Sequence, residues 1–403
     1  MRPAYDIVVA GAGPAGCAAA RACAEQGLSV LCIEEQGTIG YPVQCAGLLS
    51  LAAFQECAVS RRSVQNTVTG ARIVSSTGQA LEINAGVPKA YVVDRAMLDR
   101  EMAAAAADAG AEFQPKTTVC DVRGTRVITR GINGHEEISF RILIAADGPR
   151  GTVARSRGMA RSPVFLAGIQ AEGVLHKESN LVELYPDASP EFFGWIIPVG
   201  EGRVRAGLCG TVQVPERFAS FIKRIGLRSD IHLVTGTIPL GTMPRTYGQR
   251  TLFVGDAGGF AKPTSGGGVY TGVRSARHAA AVAGACCERD CFSDSALAEY
   301  ERRWQADLGR DLALGYRLFL MRQHLQTETT DRMIRAMNDP VILQEILHYG
   351  DMDRPAKITD VLIRHPSLLR FFSPLIMSGI RSFFNEGKFA ELKSGFGKLT
   401  RKL

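Results

Sequence analysis

The sequence predicts an α/β fold, and three features predict it. Residues 5–35 read as strand, glycine-rich turn, helix and strand in direct succession. Two later apolar strands run into Asp147-Gly148 and Gly255-Asp256. Beyond residue 295, apolar and charged residues recur at helical spacing. Together they describe a Rossmann-like dinucleotide-binding domain that is discontinuous in the chain, residues 1–160 with 250–295. An antiparallel β-sheet domain for the substrate is expected as an insertion over 160–250, and a helical C-terminal region over 296–403.

The first unit is YDIVVAGAGPAGCAAARACAEQGLSVLCIEE. IVVAG is a buried strand, and Gly11, Gly13 and Gly16 follow it in G-x-G-x-x-G spacing, with Ala15 inside the turn. An Ala-rich helix reaches about Gln26, where Gly27 caps it. Gly11 permits the tight turn, Gly13 lets backbone approach a pyrophosphate, and Gly16 lets helix and strand pack closely. Free amides at the helix N-terminus then hold the phosphates. The second strand ends at Glu34, placed to accept from ribose hydroxyls, with Glu35 beside it. An acid there disfavours a 2′-phosphate, so the dinucleotide is FAD or NAD and not NADP.

The two later strands, ILIAADG at 142–148 and TLFVGDAG at 251–258, are elements that an NAD dehydrogenase does not need. In them the sequence resembles the flavoprotein hydroxylase superfamily, whose nucleotide domain is of the glutathione-reductase/hydroxylase type. The resemblance implies FAD, with Asp147 and Asp256 reaching it; a carboxylate at 256 accepts from ribitol hydroxyls and backbone amides. The segment FAKPTSGGGVYTG enters a long helix. Gly266, Gly267, Gly268 and Val269 are then expected along the isoalloxazine, where the helix's positive end favours the anionic reduced flavin. Arg95 in YVVDRAMLDR matches the superfamily arginine that reaches the cofactor; it also reads as a solvated arginine at a helix start. Val119 in TVCDVR completes the implied set. No second G-x-G-x-x-G marks a nicotinamide domain, so electrons are expected from a docked carrier such as ferredoxin or from NAD(P)H bound without that fold.

Two short motifs narrow the resemblance. GYPVQCAGLLS at 40–50 carries Pro42, Val43, Cys45, Ala46 and Gly47; PEFFGWIIPVGEGRVRAG at 190–207 carries Pro190, Phe193, Trp195, Ile197 and Pro198 in an apparent hairpin. Both are similar to the geranylgeranyl reductase family, notably the archaeal digeranylgeranylglycerophospholipid reductases, over roughly residues 4–290. The family carries PV-x-C-x-G near the flavin and P-x-x-Y-x-W-x-F-P along the lipid cavity; here Phe193 replaces the Tyr and Ile197 the Phe. Ile197 also brings the motif near the W-x-W-x-I-P of flavin-dependent halogenases, whose first Trp is absent. The resemblance implies saturation of isoprenoid C=C bonds in ether-lipid precursors, by hydride from reduced FAD N5 and a proton. Cys45 is the candidate acid or gate, against a reading as a small residue packed on the flavin. Phe193, Trp195 and Ile197 are the candidate wall for the isoprenoid chain, against a reading as core strand. A flavin monooxygenase or halogenase, and a non-catalytic prenyl-binding escort, stay open as alternatives.

Composition excludes several other classes. The 403 residues, 46% hydrophobic and 22% charged, suit two soluble domains, and no unbroken apolar run reaches membrane-spanning length. MRPAYDIVVAG reads as a strand and not as a leader. Ten cysteines with no C-x-x-C pair suit buried thiols in a reducing cytoplasm, not a disulfide framework or a zinc or iron–sulfur site. His176, His232 and the other histidines form no triad-like or metal-like grouping, so no metal is expected. From Arg354 onward there are ten Lys and Arg against three Asp and Glu, a surplus that equals the net charge of +7. Nucleic-acid modules are absent, which turns attention to an anionic membrane face. Phe371, Phe372, Phe383 and Phe384 among those cations suit a peripheral interfacial segment as well as a helical cap over the cavity.

Overall fold

The computed structural model describes residues 4–175, 179–323 and 325–357. The nucleotide sheet forms because its strands are apolar on both faces. In the strand Ala4–Ala10, Ile7 and Val9 meet a layer of helices while Tyr5, Val8 and Ala10 meet the opposite layer. Strand order across this sheet is Tyr247–Gly248, Thr251–Phe253, Gly134–Ala145, Ala4–Ala10, Val30–Ile33, Glu112–Gln114. All neighbours are parallel except the first pair. The helices Pro14–Ala24, Arg95–Asp108 and Val269–Glu288 cover one face. A meander of Thr118–Arg123, Arg126–Gly131 and the start of Gly134–Ala145 covers the other. Alanine and glycine do the packing between the first and last helices: Gly16, Ala19, Ala20 and Ala24 face Gly272, Ala276, Ala279 and Ala283 in one core.

The second sheet runs Arg228–Leu240, Val164–Val174, Arg203–Gly210, Gly194–Gly200, Leu181–Tyr185, Gly70–Val74, Ala80–Asn84. It is wider than the 160–250 insertion expected, because Gly70–Val74 pairs in parallel with Leu181–Tyr185 and brings Ala80–Asn84 with it. Without them Leu181–Tyr185 would be a bare apolar edge. The hairpin of Gly194–Gly200 with Arg203–Gly210 closes through Glu201 and Gly202, both at positive φ (54° and 71°). That is the two-residue turn whose twist matches the strands. One face of this sheet packs on the helix Val214–Ile225; the other turns toward the nucleotide domain.

After Ser293 the helical pattern forms Asp294–Trp304 and Arg310–Arg322, joined by a π-helical turn over Gln305–Gly309. Asp307 in that turn gathers two arginines and a histidine. Arg274 donates to Oδ2 at 2.7 and 2.9 Å, His278 bonds it at 2.9 Å, and Arg354 donates to Oδ1 at 2.7 Å. Burial alone would raise this carboxyl, but those bonds bring it down to about 2. They tie the long helix that follows the Gly-rich loop to residues 351–357. No helix among the described residues is long and apolar enough to cross a membrane. The basic segment with Phe371, Phe372, Phe383 and Phe384 lies outside the described residues.

Asp307→Ala leaves two arginines and a histidine around a vacated acceptor, and a loss of about 3 kcal/mol in unfolding free energy is expected by urea titration. The carboxyl's folded value, about 2, lies below its ordinary 3.8. Its contribution is therefore complete above pH 3.8 and fades as pH falls through 2, so the deficit of the variant is undiminished at pH 5.

Candidate functional site

Three turns distant in sequence meet at the carboxyl ends of the parallel strands, and glycines set how closely they meet. At Gly11, with φ +100°, a β-carbon would lie 2.3 Å from the Ala146 carbonyl oxygen; at Gly16 it would lie 1.9 Å from that of Gly11. At Gly13 it would meet nothing within 4 Å. Two glycines thus close the turn and the middle one leaves an open cradle at the N-terminus of Pro14–Ala24. Gly255 brings the second turn against the first, since a β-carbon there would sit 2.8 Å from that of Ala15. The third turn presses Gly268 on Asp256, where a β-carbon would be 2.7 Å from Oδ1. Gly266 lies against Ile238 and Phe192, Gly267 lies over Lys262, and Val269 opens the long helix.

Glu34 fastens the end of the second strand to the first turn. Oε2 accepts from the Ala12 amide at 2.8 Å and Oε1 from the Gln36 amide at 2.8 Å, leaving lone pairs for sugar hydroxyls. Glu35 is exposed, with one long contact to Gln36. Val119 is core beneath the sheet, so only its backbone is left to serve a cofactor. Asp147 uses Oδ2 to accept from the Val153 amide at 2.9 Å, capping Val153–Ser156; burial pushes its carboxyl up to about 6 against that bond. Asp256 is also pushed up to about 6 by burial, with Arg95 opposing, and among the described residues its carboxylate has no hydrogen-bond partner. An orphaned acceptor, an open cradle over helix amides and a strand-end glutamate together fit a dinucleotide with sugar hydroxyls.

Arg95 is mostly enclosed, its side chain 12% exposed, and it forks onto Asp99 with two bonds of 3.0 Å. Burial opposes its charge, but Asp99 and the neighbouring Cys45 thiol hold the guanidinium more firmly protonated than usual. Cys45 Sγ also accepts from the Gly47 amide at 3.4 Å. The candidate acid and the candidate cofactor arginine are therefore neighbours. Arg205, which sequence reasoning missed, holds their loop: Nη1 donates to the Ala46 and Val93 carbonyls, each at 3.0 Å.

The aromatic strand lies above this loop. Ile197 is buried with Val68, Val92, Val182 and Val199, and Ala46 and Trp195 pack on the same cluster. Trp195 donates from Nε1 to Gln170 Oε1 at 3.0 Å. Its indole rests on Gly207, its partner across the hairpin, where a β-carbon would come within 2.5 Å of Cζ2. Phe193 meets Trp195 edge-on at 6.4 Å and 77°, and stacks on Phe192 at 4.3 Å. An apolar wall thus runs from the Cys45 loop through Ile197 and Trp195 to Phe193. Gly207 and Gln170 also escaped the sequence, as did the buried Lys262–Asp353 pair at 2.5 Å; the one visible sign of the last was a lysine inside FAKPTSGGG.

Residues 4–209 match the family model described as FAD binding domain. The digeranylgeranylglycerophospholipid reductase of Methanosphaerula palustris is 30% identical over 345 residues, covering 79% of this chain and 86% of that protein. The chain belongs to this family. Digeranylgeranylglycerophospholipid reductase 2 of Methanopyrus kandleri is 29% identical, covering 92% of this chain and 99% of its own length. A solved geranylgeranyl bacteriochlorophyll reductase-like protein of Thermoplasma acidophilum superposes with TM-score 0.83 at 24% identity, over 92% of this chain and 99% of that one. A flavin-dependent brominase shares the fold at TM-score 0.70 and 16% identity, over 90% and 99% of the two chains. As a member of the digeranylgeranylglycerophospholipid reductase family the protein is an FAD-dependent oxidoreductase, which decides FAD over NAD.

Two variants check this site. Gly207→Ala is expected to tilt the indole off its seat, seen as a shift in tryptophan emission and near-UV dichroism at unchanged FAD content, with about 1–3 kcal/mol lost. Asp256→Asn is expected to weaken FAD binding by about tenfold. In FAD-free protein the sign reverses for stability. The folded carboxyl titrates at about 6, above its ordinary 3.8, so its favourable protonated form is complete below 3.8 and lost as pH rises through 6. The variant should melt higher than the parent at pH 8 and alike at pH 4.

Proposed function

We propose that this protein saturates the C=C bonds of geranylgeranyl chains in archaeal-type ether-lipid precursors. The observation that carries the reading is the wall of Ile197, Trp195 and Phe193, which begins at the Cys45 loop beside the cofactor cleft. FAD, when bound and reduced, supplies the hydride equivalent for each bond. Gly11, Gly13, Gly16, Glu34 and Asp256 are the residues that would hold it, with Gly266–Gly268 beside its ring system.

The chain's own residues supply the rest. An unconjugated trisubstituted alkene accepts hydride poorly, so a proton must lead or accompany it. Cys45 Sγ is the proposed donor: the Gly47 amide and the Arg95 guanidinium both point donors at the sulfur and stabilise the thiolate left when the proton leaves. The faces of Phe193 and Trp195 stabilise positive charge developing on the tertiary carbon. The same rings exclude water and align the chain with the donor. Electrons reach the site from a docked carrier such as ferredoxin or from NAD(P)H, because the sequence holds no second nucleotide fingerprint. The basic C-terminal segment is proposed to bring a cytoplasmic enzyme to the membrane that holds its lipid.

Reducing the FAD-loaded protein anaerobically and adding geranylgeranyl lipid should give flavin reoxidation with a product mass gain of one H2 per bond. Reoxidation that requires oxygen and leaves the double bonds intact would instead mark a monooxygenase. Cys45→Ser should slow that single turnover by about a hundredfold at unchanged FAD content; an unchanged rate removes Cys45 from the chemistry.

A further inference from the structure

Arg322 ends the helix Arg310–Arg322, one turn beyond Phe319, and folds over the outer end of the aromatic wall. Its guanidinium carbon lies 6.0 Å from the centre of the Phe193 ring. Nη2 donates to the Pro186 carbonyl at 2.9 Å, while Nε is sealed from solvent with no partner among the described residues. The nearby acids pair with other arginines: Glu191 with Arg217 at 2.9 Å, and Asp187 with Arg224 through Oδ2, its Oδ1 having no hydrogen-bond partner among the described residues. No carboxylate among the described residues pairs with Arg322. Burial pushes the guanidinium down to about 10, and Cys209, the other group that acts on it, is a thiol that burial itself keeps neutral.

A guanidinium desolvated without a counter-ion is costly, and the cost falls when an anion completes it. Nη1, which is not sealed and has no hydrogen bond among the described residues, is the donor left for a ligand, and a charged donor suits a phosphate better than any neutral group. The surroundings say which phosphate. Phe193 lies directly beneath, Trp195 follows at 6.4 Å, and Ile197 closes the row beside Ala46. An anion with an attached apolar chain meets both halves of that surface.

We propose that Arg322 recognises the phosphate head of the lipid, which lies with its head at Arg322 and its isoprenoid chain along Phe193, Trp195 and Ile197 toward Cys45. The assignment rests on the reductase reading for the identity of the chain, and it gives that reading a direction: the bonds far from the head reach the cofactor cleft. Arg322 acts in binding and not in the chemistry.

The test is equilibrium titration of oxidised, FAD-loaded protein with geranylgeranyl phosphate, geranylgeraniol and inorganic phosphate, read by flavin absorbance and tryptophan emission. The parent protein should bind geranylgeranyl phosphate at least about tenfold more tightly than geranylgeraniol. Arg322→Met should lose that difference through the phosphate lipid alone, and Arg322→Lys should recover part of it. If Arg322→Met does not load FAD, Arg322→Gln takes its place. A phosphate preference that survives in the neutral variant, no preference in the parent, or inorganic phosphate binding as tightly as the lipid phosphate overturns the proposal. Binding is read without turnover, so a failure of anaerobic reduction sinks the reductase reading and leaves this result standing. Normal reduction with an unchanged preference in Arg322→Met sinks the head-group assignment alone.

Discussion

One guanidinium decides how the two halves of the molecule face each other. Arg205 leaves the second sheet and spends its donors on the nucleotide domain: the Ala46 and Val93 carbonyls at 3.0 Å each, Gln65 at 2.7 Å, with Glu172 of its own sheet at 3.2 Å. Gly47 is the cost of this clamp, because a β-carbon there would lie 2.4 Å from Nη1. The geometry propagates in both directions. Val93 precedes Asp94, whose side chain caps the helix that begins with Arg95, so the clamp sets where Arg95 meets Cys45. On its own strand pair Arg205 faces Ile197, so the same bonds fix the height of the apolar wall above the cleft. A lysine could not replace it, since one ammonium cannot hold two carbonyls and an amide in a plane.

What was legible in the sequence is what local physics dictates. The Gly11–Gly16 turn, its helix and the strand ending at Glu34 are consecutive, and each glycine has a steric reason within a few residues or at the adjoining Ala146. The aromatic motif was legible as a motif, but the seat of Trp195 was not. Gly207 is opposite it only once the hairpin register is set, and Gln170 reaches the indole from a third strand. The parallel pairing of Gly70–Val74 with Leu181–Tyr185 joins segments about a hundred residues apart and leaves no periodic trace. Asp147 shows the converse. Its Asp-Gly motif resembles a cofactor contact, yet Oδ2 serves as the acceptor for a helix that starts six residues later.

The charged groups around the cleft divide by whether they have partners. Arg95, Arg205 and Asp307 each have charged or carbonyl partners, and they hold position. Asp256 and Arg322 keep atoms without partners among the described residues, and they lie at the cofactor cradle and at the proposed head-group end of the wall. A folded chain tolerates an uncompensated charge where binding repays it. These two groups have opposite sign, and the tasks proposed for them are complementary, an acceptor for sugar hydroxyls and a donor for phosphate.

The same distinction explains why the C-terminal helices belong to the site. Gly266, Gly267 and Gly268, proposed to lie beside the ring system, have no side chains to hold them, and glycine loses the most conformational entropy on ordering. The anchor is supplied from elsewhere. Lys262, at the start of that loop, bonds the Gly267 carbonyl through its amide at 3.1 Å, and its ammonium reaches the Met352 carbonyl at 3.1 Å and Asp353 at 2.5 Å. Asp353 in turn accepts from Ser50, at the head of the helix that follows the Cys45 loop. Next to it, Arg354 bonds Asp307 and the Tyr270 hydroxyl, in the helix that the glycine loop opens. Ion pairs this buried contribute little net stability, but they allow one arrangement and penalise all others. Residues 351–357 therefore lock the two loops that flank the cleft to each other, and a glycine-rich wall too flexible to define a surface becomes rigid enough to orient a cofactor.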